Sequence, residues 1–178
     1  MLWRRLLRTV AVAVAAVVPL AGCGLTHLNE LNFRVDNRLH FLSPKDRAKV
    51  HQPVTVSWTI HGFRVAALGS EPASHDAGYF AVFVDRQPIR PGQTMKAVAS
   101  GDRFCQRDPK CPDVSYLNDR GVYTTTGSSI RLDTIANIVG SNDKVQLHSF
   151  IVVLMDTTGH RIGESAWELD LRIPRTGL

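Results

Sequence analysis

The chain has 178 residues, 44% of them hydrophobic and 21% charged, with a formal net charge of +5. That length suits one domain with its own buried core, and neither repeats nor low-complexity tracts interrupt it. Without Arg4, Arg5 and Arg8, eighteen basic side chains face sixteen acidic ones, a charge of +2 with no Lys/Arg stripe and hence no basis for a nucleic-acid partner.

The first segment in chain order reads as an export signal. Arg4, Arg5 and Arg8 form a positive start, and an apolar run follows from Thr9 to Val18. A permanent membrane helix needs about 20 apolar residues, whereas the apolar core of a signal peptide has about 7–15. Arg4 and Arg5 form an arginine pair, but Trp3 before them and the plain apolar core suit the general export route. Leu20-Ala21-Gly22-Cys23 resembles the lipobox of bacterial lipoproteins. The resemblance implies that the Cys23 sulfur receives a diacylglycerol and that residues 1–22 are then removed. Two or more acyl chains hold a protein on a membrane almost permanently, so the expected address is the extracytoplasmic face of the cell membrane. The alternative is an ordinary secretory signal that leaves Cys23 as a free thiol. Residues 23–32 read as a short tether; the nine residues from Gly24 to Asn32 reach at most about 30 Å when extended.

From Phe33 the apolar residues alternate. Phe33, Val35, Leu39 and Phe41 share one phase, with Arg34, Asp36, Arg38 and His40 on the other, which is the period of a half-buried strand. Val54, Val56, Trp58 and Ile60 repeat the pattern after Pro53. Tyr79 to Asp85 is apolar on both phases, as a central strand is, and Pro88, Pro91 and Gly92 then supply turn chemistry. Ile130 and Leu132 mark a short strand, and Lys144 to Asp156 the longest one. A turn over Thr157-Thr158-Gly159-His160 leads to the last, with Trp167, Leu169, Leu171 and Ile173 inward. No segment carries a long helical period. Trp58 and Trp167 are expected in the core.

About seven short strands between Pro/Gly turns predict an all-β antiparallel sandwich over residues 33–175 with two long loops. The stretches HFLSPKDRAKVHQPVTVSWTI and FAVFVDRQPIRPG resemble immunoglobulin-like and fibronectin type III-like domains of bacterial proteins. With the lipobox, the build is similar to small actinobacterial envelope lipoproteins. That resemblance is architectural and carries no functional residue.

Cys105 and Cys111 bracket five residues in a chain expected to leave the reducing cytoplasm, which favours a disulfide. A zinc site needs four ligands, usually at closer spacing, and no second Cys pair accompanies them. His27, His40, His51, His61, His75, His148 and His160 contain no His-x-His pair; His148, isolated on a strand, reads as a structural histidine. The chain lacks Gly-x-Ser-x-Gly, His-Glu-x-x-His and phosphate-loop motifs. No catalytic residue, metal or cofactor is assigned.

Two long connections remain, Gly62 to Gly78 and Gly101 to Gly121. Loops beyond about 12–15 residues are uncommon unless functional or disordered, and the alternative to a recognition role is a loop that caps one end of the sandwich with its aromatics packed on the core. The second is closed by the cysteine pair and mixes aromatic residues with arginines. Arg103, Arg107, Tyr116 and Arg120 are therefore the candidate partner-binding residues, with Phe104 expected beneath them. The favoured reading is a non-catalytic, lipid-anchored module that binds an envelope protein. The alternative is a carrier or receptor for a small apolar or glycan ligand, held between the sheets or under the long loops.

Overall fold

The computed structural model describes residues 36–176. The signal, Cys23, the tether and the first strand residues Phe33 and Val35 lie outside the described residues. Among the described residues eight strands form, rather than about seven: β1 (Leu39–Ser43), β2 (Val54–Ile60), β3 (Arg64–Val65), β4 (Ala77–Val84), β5 (Val122–Thr125), β6 (Ser129–Leu132), β7 (Val145–Asp156) and β8 (Trp167–Pro174).

They make two sheets. One has the order β1-β2-β6; in the other β4 lies beside β7 and β7 beside β8. The short strands β3 and β5 share the free edge of β4: β3 runs parallel to Ala77 and Gly78, β5 antiparallel to Phe80 through Phe83. Apart from β3, the named strands all pair antiparallel. β1, β2 and β6 thus lie in one sheet and β3, β4, β5, β7 and β8 in the other, the two-sheet arrangement of an all-β sandwich.

Period-two alternation places the core as the sequence predicts. Val54, Val56 and Trp58 point from β2 toward Phe80 and Val82 of β4, Phe150, Val152 and Leu154 of β7, and Leu169, Leu171 and Ile173 of β8. Trp58, 1% exposed, stands edge-on to Phe80 with ring centroids 5.3 Å apart. Trp167 packs against the same cluster and donates its indole N–H to the Asp36 carbonyl at 2.8 Å.

The start of β7 reverses the usual polarity. Gln146 and His148 are buried, while Val145 and Leu147 face outward, Leu147 at 50% exposure. The inward amide and imidazole each find a hydrogen-bond partner. Gln146 accepts the Ile138 N–H at 3.0 Å, and His148 Nδ1 lies 2.7 Å from Asp85 Oδ2. Hydrogen bonding offsets the desolvation that would otherwise oppose burial.

Both faces of β4 are covered, as the unbroken apolar run from Tyr79 implies. The outer face, through Tyr79, Ala81 and Phe83, joins Ile151, Val153 and Met155 of β7 in a second core. That core is closed from outside by Ile89, Met95, Ala97, Val98 and Leu117. All five belong to the long connection between β4 and β5, which therefore acts as a third layer.

Candidate functional site

The insert between β4 and β5 begins at Asp85, whose φ of +55° turns the chain off the sheet. Its carboxylate accepts the Ser149 N–H at 3.0 Å besides contacting His148. The next anchor is Arg161, buried on the far hairpin. Its guanidinium donates to the carbonyls of Ile89, Glu164 and Ser165. Burial lowers the Arg161 pKa. Backbone bonds Gly92 N–H to Arg161 O (2.9 Å) and Arg161 N–H to Gln93 O (2.8 Å) complete the clamp.

A 3-10 helix, Met95–Ala99, then leads to two short α-helices, α1 (Arg103–Arg107) and α2 (Val114–Asn118). Asp102 caps α1, its Oδ1 accepting the Phe104 and Cys105 N–H groups at 3.0 and 3.1 Å. Asp113 caps α2 by accepting the Tyr116 N–H at 2.7 Å. Cys105 is buried and bonded to Cys111, with a Cα separation of 5.1 Å.

Asp102 also ties the two helices together. Its Oδ2 accepts the Tyr116 hydroxyl at 3.1 Å and lies 3.5 Å from Arg120 Nη2. The Arg120 guanidinium carbon sits 3.5 Å from the centroid of the Tyr116 ring, a cation–π geometry. The Cys105 backbone N–H, with further help from Tyr116, holds the Asp102 carboxyl below its ordinary range. Burial, followed by the Asp102 contact, raises the Tyr116 phenol. Past α2, Gly121 has φ +68°, and a Cβ there would come within 2.8 Å of the Val84 carbonyl oxygen. Only glycine closes the insert so tightly onto β4.

The candidate residues thus fall into two kinds. Tyr116 and Arg120 are joined in the Asp102 cluster, whereas Arg103 and Arg107 project from α1 into solvent. Phe104 does not lie beneath them: it is 85% exposed. On a helix adjacent residues diverge by about 100°, and Asp102 and the disulfide turn Cys105 inward. Phe104 is rotated out as a consequence.

Beside this surface, an open pocket of about 940 Å³ lies between the disulfide loop and the ends of β4 and β5. Leu68, Tyr79, Met95, Pro112, Leu117 and Thr125 are among its walls. These residues come from five separated segments, and no local spacing announces their convergence. A pocket of this size is in the range that small-molecule sites occupy, about 300–1,000 Å³.

Histidine chemistry is sparse. His40 and His61 lie with their ring centroids 6.4 Å apart and their planes tilted by 59°. Among the described residues no three His, Cys, Asp or Glu side chains are grouped to hold a metal ion. No family model, curated protein or solved structure matches the chain.

Proposed function

We propose that this is a non-catalytic, lipid-anchored envelope protein whose disulfide-closed insert recognises another envelope protein. The observation that carries the reading is Phe104, 85% exposed on a five-residue helix whose cap and disulfide fix it in place. An exposed phenylalanine has no packing role in the isolated domain. Flanked by Arg103 and Arg107, beside Tyr116 and Arg120, it has the aromatic-plus-arginine composition of interface centres. The covalent closure matters for affinity, because a pre-ordered segment gives up less freedom on binding. The carrier reading places a ligand between the sheets or under the loops; between the sheets, large side chains such as Trp58, Phe80 and Phe150 fill the space.

The test is alanine substitution at Phe104 and Arg107 in the anchored protein. Both side chains are exposed, so the melting temperature stays within about 2 °C of wild type, as for surface changes generally. Affinity for the partner falls by roughly tenfold or more, the effect of losing an interface anchor. Equal partner binding by both variants would move the interface off this helix.

A further inference from the structure

The pocket beside α2 is lined on one side by apolar groups that a solvated surface does not explain. Leu68 and Val114 are 64% and 66% exposed, and both line it. Met95, Pro112 and Leu117 continue the apolar wall. Tyr79 belongs to the same lining although it is only 6% exposed. Among the described residues its hydroxyl has no hydrogen-bond partner; burial and the Asp156 charge push its pKa up to about 12. The phenol therefore keeps its proton and offers a free donor to whatever occupies the site. Two cations, Lys96 and Lys110, stand in the same lining, both exposed, and neither is ion-paired among the described residues. The acid beside them, Asp113, is occupied as the cap of α2.

We infer that this pocket binds a single-chain amphiphile, its acyl tail along Leu68, Met95, Pro112 and Val114 and its anionic head between Lys96 and Lys110. Charge complementarity selects the head: two unpaired ammonium groups at an apolar hollow favour a carboxylate or phosphate over a neutral group. Apolar burial supplies affinity for the tail. The site is distinct from the recognition surface, since neither Phe104 nor Arg107 lines it.

The experiment uses the full chain in its native membrane, exposed to diazirine-bearing octadecanoic acid, the corresponding monoacyl phosphate, and the neutral alcohol of equal length. Peptide mapping locates the label. The inference predicts saturable labelling by one or both anionic probes, confined to peptides that contain the lining residues Leu68, Tyr79, 94–96, 109–117, 124–126 and 158–159. Preference between acid and phosphate identifies the head. Lys96→Glu with Lys110→Glu should weaken labelling roughly tenfold. Leu68→Glu, a change at an exposed wall, should weaken it comparably. Tyr79→Phe, which preserves packing, should weaken it severalfold. Unchanged melting temperatures separate these effects from unfolding. Equal labelling by the alcohol, labelling spread evenly over surface peptides, or charge-reversed variants that label like wild type would each overturn the inference.

Discussion

Among the described residues Trp58 is the largest fully buried side chain, and it meets Phe80 edge-on across the two sheets. Removing a core aromatic typically costs about 3–5 kcal/mol, so Trp58→Ala should lower the melting temperature sharply. The indole N–H has no partner in the core. Trp58→Phe discards that unsatisfied donor and should cost less than about half as much; thermal denaturation of the two variants separates packing from hydrogen bonding. Asp85 is a second sensitive position, since its carboxylate serves buried His148 and the Ser149 N–H at once. Asp85→Ala should destabilise by about 1–3 kcal/mol through the orphaned imidazole, measured by denaturant unfolding. Asp36 sets an acid limit. The Arg38 guanidinium, with further help from Ser165, lowers its pKa from the ordinary 3.8 to about 2. A carboxyl held lower in the folded state contributes stability that is full above about pH 4 and is lost as pH falls through about 2. Asp36→Asn should flatten that part of the melting-temperature profile between pH 4 and pH 2.

At the scale of elements, the insert depends on caps and the disulfide rather than on helical propensity. Isolated helices shorter than about 12–15 residues are marginal, and α1 and α2 have five residues each. Reducing the Cys105–Cys111 bond, or replacing Asp102 with alanine, should raise hydrogen exchange across residues 102–118 while leaving β4 and β7 protected. Uniform loss of protection would mean that the insert is part of the sandwich's cooperative unit. The same brevity explains what the sequence conceals. Strands β1, β2, β4, β6, β7 and β8 are legible through alternation of four or more residues or a long apolar run. Two-residue β3 has no period to read, and Val122-Tyr123-Thr124-Thr125 of β5 follows charged loop residues. A five-residue helix spans little more than one turn, too short for a 3.6-residue rhythm. Its start was nonetheless marked: Asp102 and Asp113 stand where capping residues belong. Phe104 could not be placed without that cap, and the inward phase of His148 depends on Asp85, far along the chain.

At the scale of the whole molecule, the proposed function joins two parts: lipid at Cys23 would confine the protein to the membrane, and the insert would select what it meets there. Each buried methylene of an acyl chain contributes about 0.8 kcal/mol to membrane binding. Cys23→Ala should move the protein from the membrane fraction to the soluble one, and retention would refute the lipobox reading. The recognition claim is tested most directly by placing a photoreactive amino acid at Phe104 in the intact envelope, with the same group at Val139, also fully open to solvent, as control. The account predicts a discrete cross-linked protein from position 104 that is absent from position 139 and lost with Arg107→Ala. Identical cross-links from both positions, or none from position 104, would contradict it.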